Sequence, residues 1–254
     1  MIRALFERIR QKHRTVVYPE GPPTIPDRYR GIPELMPGKC PADCAACAEA
    51  CPTGAVWRET GSLHMDLGKC LFCGDCAAAC PHGAIRFLPE HRAAVRNRED
   101  LVLDGRERRL AVALDAKMKS LLGRSLKLRQ VSAGGCNACE ADTNVLTTVV
   151  FDLGRFGIQF VASPRHADGL LVTGPVTENM ALALRKTYDA VPEPKIVVAV
   201  GACAISGGPY GGHGEVRGGA GAVVPVDLYV PGCPPHPVAI LDGLLRLLGR
   251  LEKS

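Results

Sequence analysis

Twelve cysteines, and the way they are spaced, carry the chemistry of this 254-residue sequence. Eight fall in two runs that each end Cys-Pro: Cys40-Pro-Ala-Asp-Cys44-Ala-Ala-Cys47-Ala-Glu-Ala-Cys51-Pro52 and Cys70-Leu-Phe-Cys73-Gly-Asp-Cys76-Ala-Ala-Ala-Cys80-Pro81. The other four are Cys136, Cys139, Cys203 and Cys233. Thiolates in sets of four hold iron–sulfur clusters, and the second run has the C-x2-C-x2-C-x3-C-P spacing of such sites. The twelve divide into three sets of four with none left over. Three 4Fe-4S clusters are therefore the expected cofactors, and one-electron transfer the expected chemistry. Zinc is the competing ligand for four cysteines, but its motifs usually set two pairs roughly a dozen or more residues apart.

The two runs form an internal repeat: Lys39-Cys40 through Cys51-Pro-Thr-Gly-Ala-Val aligns with Lys69-Cys70 through Cys80-Pro-His-Gly-Ala-Ile. The repeat resembles the duplicated unit of bacterial two-cluster ferredoxins, which implies two copies of a short strand, a cluster loop and a helix. The resemblance also implies crossed ligand sets, since the last cysteine of each run there ligates the other cluster. Carried onto this sequence, Cys40, Cys44, Cys47 and Cys80 hold one cluster, and Cys70, Cys73, Cys76 and Cys51 the other. The first run departs from the pattern, with three residues between Cys40 and Cys44 where the second has two. A wider loop absorbs the difference.

Elements must bring these thiols together. Ahead of the repeat, Ile2, Leu5, Phe6 and Ile9 fall on one helical face, with Arg3, Arg8, Arg10, Lys12 and Arg14 on the rest. That is a short basic amphipathic helix, suited to a membrane surface or to a partner subunit. The Pro-rich stretch that follows is expected to run extended. A helix followed by Tyr18-Pro19 and Arg28-Tyr29-Arg30-Gly31 is similar to the lead-in of the two-cluster ferredoxin subunit of respiratory complex I and its hydrogenase relatives. Residues 91–124 lack cysteine. Leu110, Val112, Leu114, Met118, Leu121 and Leu122 predict a linking helix over 110–122.

From residue 126 the pattern predicts strands at 126–131, 158–162, 169–172, 195–200 and 228–230, and helices at 141–153, 177–190 and 237–248. The last has Leu241, Leu244, Leu245 and Leu248 on one face and Pro237 at its first position. This alternation gives an open, mostly parallel α/β sheet with helices on both faces. The remaining cysteines sit just past strand ends, where sites in such sheets assemble. Gly134, Gly135, Gly201 and Gly232 allow the backbone close to a bulky cluster. These motifs resemble the proximal-cluster subunit shared by complex I and nickel–iron hydrogenases, including the gaps of 63 residues from Cys139 to Cys203 and 29 from Cys203 to Cys233. Complex I subunits carry adjacent cysteines at the first site. Cys136-Asn-Ala-Cys139 is instead similar to the small subunits of membrane-bound, energy-converting hydrogenases, as are Ser163-Pro-Arg-His-Ala-Asp and Thr173-Gly-Pro-Val-Thr-Glu-Asn-Met.

Other residues receive plainer readings. Glu140 is expected at a helix start, where a carboxylate is favourable, with a proton-path role as the alternative. His166 is expected to pack or hydrogen-bond at a large-subunit interface, and His236 to occupy a turn. Eight glycines within 207–221 predict a mobile loop, and no Gly-Lys-Ser/Thr makes it a phosphate loop. The N-terminus shows no apolar signal core and no twin-arginine motif, so the cysteines are expected as reduced metal ligands rather than disulfides. No run of about 20 apolar residues predicts a membrane span. The formal charge is +5, but three oxidised clusters at about −2 each bring it to roughly −1. With the basic residues dispersed, nucleic-acid binding is not expected.

The expected fold class is thus an α+β ferredoxin-like N-terminal module plus an α/β open, mostly parallel, flavodoxin-like C-terminal domain, each with its own core. The divisions are 1–34 (amphipathic helix and extended lead-in), 35–90 (two-cluster ferredoxin), 91–124 (helical linker) and 125–254 (proximal cluster). The resemblances imply an electron-transfer subunit of a membrane-bound, complex I-like nickel–iron hydrogenase, peripheral at the cytoplasmic face of the cell membrane. They imply as partners a nickel–iron large subunit that carries the hydrogen chemistry, membrane subunits, and an external donor or acceptor such as ferredoxin, formate dehydrogenase or carbon monoxide dehydrogenase. A nickel-free, complex I-related quinone or sulfur oxidoreductase is the alternative.

Overall fold

A computed structural model of the chain describes residues 2–12, 14–41 and 43–251. Met1, His13 and residues 252–254, which belong to the expected outer divisions, lie outside the described residues. So does Ala42, the middle residue of the wide Cys40–Cys44 spacer.

Helix α1 (Ile2–Gln11) buries no residue, and its apolar face of Ile2, Leu5, Phe6 and Ile9 is 64–74% exposed. The repeat then forms strand β1 (Ile32–Leu35), helix α2 (Ala46–Glu49), strands β2 (Val56–Glu59) and β3 (Ser62–Asp66), helix α3 (Asp75–Ala78) and strand β4 (Ile85–Leu88). β1 pairs antiparallel with β4, Ile32 opposite Leu88, and β2 with β3, Val56 opposite Met65. A further strand, β5 (Val102–Leu103), adds to β3 with Leu103 opposite Met65. The segment after the repeat is thereby built into the ferredoxin half.

The expected helix over 110–122 is shorter. Helix α4 spans Ala116–Leu122, and the Asp115 carboxylate starts it by accepting from the Met118 amide at 2.9 Å. The residues before it bond to distant backbone instead, Ala111 N to Ala94 O at 2.7 Å and Leu114 N to Leu247 O at 2.9 Å. Tertiary pairing there overrides the helical spacing.

The second half has strands β6 (Leu126–Ser132), β7 (Ile158–Phe160), β8 (Gly169–Thr173), β9 (Ile196–Val200) and β10 (Leu228–Val230), in the order β10-β9-β8-β6-β7. Every pairing is parallel, the doubly wound flavodoxin-like order. β8 and β9 are buried at every residue, as expected of central strands covered on both faces. The helices are α5 (Ala138–Val145), α6 (Glu178–Asp189), α7 (Ala202–Ser206) and α8 (Pro237–Leu247). α5 lies earlier than the expected 141–153. At its end the Thr147 and Thr148 hydroxyls donate back to Asn144 and Val145 carbonyls, both at 2.8 Å, and the next carbonyls are taken by the lead-in, Val149 O by Thr15 and Val150 O by the Val16 amide.

Two further expectations change. α8 buries all eleven of its residues, not one face, because the lead-in covers it as well as the sheet. The halves also do not have separate cores. One buried cluster joins Ile32, Leu63 and Met65 of the ferredoxin half to Leu170, Val197 and Ile205 of the sheet half. Val95 and Tyr229 bridge the halves by two amide–carbonyl bonds of 3.0 and 2.8 Å. The glycine-rich loop is tied down rather than free: Glu178 N donates to Glu215 O at 2.9 Å, and Arg217 pairs with Glu178 at 2.5 Å.

Candidate iron–sulfur centres

The helix of each run buries one thiol, Cys47 on α2 and Cys76 on α3. Burial pushes the Cys47 thiol up, and the charges of Cys40 and Cys80, then Cys44, push it further. Its neighbours are therefore two cysteines of its own run and the last of the other. Cys70 is pushed up to about 12 by burial, against the Phe72 amide, with Cys76, Cys51 and Cys73 adding to it. Cys76 rises to about 11 through burial, then Cys51 and Cys73. Cys51, Cys70, Cys73 and Cys76 line one cavity with Pro52, Val56, Leu71 and Phe87. The thiols are gathered across the repeat, because β1 pairs with β4 and returns Cys80 to the first run, while β2 pairs with β3 and sets Cys51 beside the second.

Donors point at these sulfurs. The amides of Ala55 and Ala84 donate to Cys51 and Cys80 at 3.2 Å, and that of Phe72 to Cys70 at 3.3 Å. Burial alone would raise Cys51 and Cys80, but the amides at Thr53, Val56 and Ala55, and at Ala84, His82, Ile85 and Gly83, outweigh it and hold both thiols below their ordinary value. Arg58 Nη1 lies 2.7 Å from Cys40 Sγ, a contact that the cysteine spacing does not announce.

The third set forms at the carboxyl ends of the parallel strands. Cys136 and Cys139 bracket Asn137, which starts α5 after β6, beside the point where the strand order reverses. Cys203 lies in α7 after β9, and Cys233 follows β10. Cys139 is pushed up to about 12 by burial, then by Glu140, Cys203, Cys233 and Cys136. Cys203 rises to about 11 by burial, then by Cys233 and Cys136. Gly201, at φ +89°, leaves the room: a Cβ there would lie 2.5 Å from Cys139 Sγ. Glu140 is buried in the first turn of α5, and its Oε1 accepts from Ser132 at 2.5 Å and Thr173 at 2.7 Å. Burial opposes its ionisation, yet the two hydroxyls hold its pKa below the ordinary value. Cys136 and Cys233 reach the surface.

Partial burial raises the Cys233 thiol, then Cys136, and then Cys73 from the ferredoxin half. A single pocket is lined by Leu71 and Phe72 on one side and by Pro231, Cys233 and Pro235 on the other, with Tyr29, His91 and His236. His236 caps α8, its Nδ1 accepting from Val238 N at 3.2 Å. His166 is exposed on a short turn, Pro164–His166.

The donor sets fit iron–sulfur clusters. Among the described residues, no three His, Cys, Asp or Glu side chains are gathered as a single ion would require. Instead, the four thiols of Cys51, Cys70, Cys73 and Cys76 ring a space. The raised thiols of Cys70, Cys76, Cys139 and Cys203 stay protonated unless a cationic core enters among them. Sequence reasoning missed the residues that fasten this frame. Arg98 forks onto Asp66 at 2.8 and 2.6 Å, and the same carboxylate accepts from Gly68 N at 2.8 Å, one turn before Cys70. Such pairs leave no signal in spacing.

Comparison with known proteins agrees with this layout. Residues 63–86 match the 4Fe-4S binding domain, and residues 136–247 match the family of the NADH ubiquinone oxidoreductase 20 kDa subunit. The chain binds 4Fe-4S clusters accordingly. It is 43% identical over 142 residues to formate hydrogenlyase subunit 7 of Escherichia coli, covering 56% of each chain. It is 41% identical over 138 residues to the probable membrane-bound hydrogenase subunit mbhJ of Pyrococcus furiosus, covering 54% of this chain and 83% of that one. An NADH-quinone oxidoreductase subunit of Desulfovibrio desulfuricans is 48% identical over 120 residues, 47% of this chain and 65% of that one. The match thus spans little more than half of formate hydrogenlyase subunit 7. These relatives are oxidoreductase subunits, and with them this chain belongs to the family of the NADH ubiquinone oxidoreductase 20 kDa subunit.

Proposed function

We propose that this chain is the electron-relay subunit of a membrane-bound, complex I-like nickel–iron hydrogenase. In it Cys40, Cys44, Cys47 and Cys80 hold one 4Fe-4S cluster, Cys51, Cys70, Cys73 and Cys76 a second, and Cys136, Cys139, Cys203 and Cys233 a third. Clusters so held supply one-electron redox chemistry. The observation that supports a relay above all is the pocket that Leu71 and Phe72, ahead of Cys73, line together with Cys233 across the two halves. Leu71, Phe72 and Pro231 line that pocket together with Arg28, Arg30, His91 and His236. The Cys40 set then faces an external donor or acceptor (ferredoxin, formate dehydrogenase or carbon monoxide dehydrogenase). Cys136 and Cys233, at the surface, face a large subunit that carries nickel and iron. Among the described residues no helix is long and apolar enough to cross a membrane. Membrane subunits of the assembly and the exposed face of α1 would hold the chain at the cytoplasmic side.

Likeness to the NADH-quinone oxidoreductase subunit of Desulfovibrio desulfuricans supports a second reading, a nickel-free quinone or sulfur oxidoreductase. The spacing Cys136-Asn-Ala-Cys139 favours the first. Metal and sulfide analysis of the anaerobically purified complex tests both. About twelve iron atoms per chain are expected, with nickel co-purifying through a partner. A plateau near eight iron would remove one thiol set, and full iron without nickel would select the second reading.

A further inference from the structure

The two cysteine runs are repeats, so equivalent positions around the two ferredoxin-type centres can be compared. Seven residues past the last cysteine of the first run stands Arg58, and seven past that of the second stands Phe87. Both lie on the strand that follows their run, β2 and β4. The crossed architecture brings each to an equivalent place. Arg58 Nη1 donates to Cys40 Sγ at 2.7 Å, while Phe87 lines the cavity ringed by Cys51, Cys70, Cys73 and Cys76. Backbone donors are matched, Ala55 N on Cys51 and Ala84 N on Cys80, both at 3.2 Å. The repeat thus keeps its amides and exchanges a guanidinium for a phenyl ring. The guanidinium is also held in place, since its Nη2 donates to Gly61 O at 2.6 Å. A cation stands over the second loop too, but Arg30 donates to the Phe72 carbonyl at 3.3 Å, not to a sulfur.

We propose that Arg58 splits the reduction potentials of the two ferredoxin-type centres, raising the one held by Cys40, Cys44, Cys47 and Cys80 above the one held by Cys51, Cys70, Cys73 and Cys76. This rests on the assignment of those thiols to 4Fe-4S clusters. The step concerned is the passage of one electron from an external one-electron donor, with no bond made or broken. The negative charge that arrives is shared by the thiolate sulfurs, and a charge-assisted hydrogen bond from Arg58 strengthens with it. Phe87 offers no such compensation and only excludes water. Electrons entering at the Cys40 set therefore rest there before passing inward, and Arg58 makes that set the store that fills first.

EPR-monitored redox titration of the iron-loaded complex tests this with Arg58→Gln and Arg58→Lys. Arg58→Gln is expected to lower the midpoint of the Cys40 centre by at least a tenfold change in its reduced-to-oxidised ratio at fixed potential, about 59 mV for one electron. The Cys51 centre and the iron count should stay as in the parent. Arg58→Lys keeps the charge but loses the fork, and its midpoint should fall part of the way. Midpoints unmoved in both variants at full iron content would overturn the proposal. Should Arg58→Gln fail to assemble the centre, Arg58→Lys decides alone: a lowered midpoint supports the role, and an unchanged one refutes it. A parent complex whose Cys40 set takes up no iron would overturn the ligand assignment itself, and the iron count reveals that before any potential is read.

Discussion

Tyr18 and Asp242 lie 224 residues apart in the chain and share a 2.5 Å hydrogen bond, the phenol donating to Asp242 Oδ1. Asp242 is fully buried in α8 and also accepts from Arg246 Nε at 2.8 Å. Burial and the carboxylate raise the Tyr18 pKa, so the phenol stays a donor. The His91 ring stands edge-on to Tyr18 at 5.5 Å. Lead-in, the end of the ferredoxin half and the last helix meet at this one buried polar group, and their meeting holds the two halves in register.

Tyr18→Phe should therefore lower stability by about 1.5–3 kcal/mol, the usual worth of a hydrogen bond to a charged group. Asp242→Leu should cost more, about 3–5 kcal/mol, since it strands the Arg246 guanidinium in the core. Thermal unfolding of the anaerobic, iron-loaded complex measures both. A Tyr18→Phe variant as stable as its parent would mean that the phenol fastens nothing.

Gly68→Ala reports on the shared core. A Cβ at Gly68 would meet Arg98 Cζ and Ile205 Cγ2, each at 2.7 Å. Arg98 holds Asp66 ahead of Cys70, and Ile205 shares α7 with Cys203. Ser206 Oγ also donates to Gly68 O at 2.8 Å. The substitution should disturb thiols in both halves, so iron should fall by more than the four atoms of one cluster. Loss confined to the ferredoxin iron would show that the halves tolerate separation.

The sheet of the second half was legible because residues 170–172 of β8 and Ile196–Val200 of β9 are apolar runs such as buried parallel strands carry. Binding of 4Fe-4S clusters was legible because cluster ligation imposes spacing on sequence, and residues 63–86 match a 4Fe-4S binding domain. Helix α4 was misjudged because Ala111 and Leu114 bond to Ala94 and Leu247, partners no local window contains. The union of the two cores and the Tyr18–Asp242 bond were hidden for the same reason. They depend on contacts far apart in the chain, and single polar residues such as Asp66 or Asp242 look like surface groups until a partner covers them.

Removing the iron should make the chain sensitive to alkali. Burial raises Cys70 and Cys139 to about 12, and Cys76 and Cys203 to about 11, from an ordinary value of 9.0. The folded apo-chain then binds protons that the unfolded chain releases. Its stability is intact below about pH 9 and falls as pH rises from there towards 12. With iron bound, the same thiols are already deprotonated and the slope should vanish. Urea midpoints of stripped and loaded chain at pH 8 and pH 10.5 compare the two. Equal slopes would mean that these thiols are not the metal's ligands.

Gly201→Ala separates the third thiol set from the other two. Gly201 sits between β9 and α7 at φ +89°, where a side chain is strained. Its added methyl would press on Cys139 Sγ at 2.5 Å, while its next neighbours, Gly232 O and Pro235 Cδ, stand back at 3.5 and 3.8 Å. The damage should thus fall on the Cys136, Cys139, Cys203 and Cys233 group and spare the ferredoxin thiols, in contrast to Gly68→Ala. Iron should drop by about four atoms per chain. The remaining centres should still be reduced by dithionite, but electrons should no longer reach the partner subunit proposed above. Together these results would place the third set between the ferredoxin half and the partner. Full electron delivery from a chain lacking those four iron atoms would mean that the partner takes electrons directly from the ferredoxin half, and that the third thiol set is not on the route.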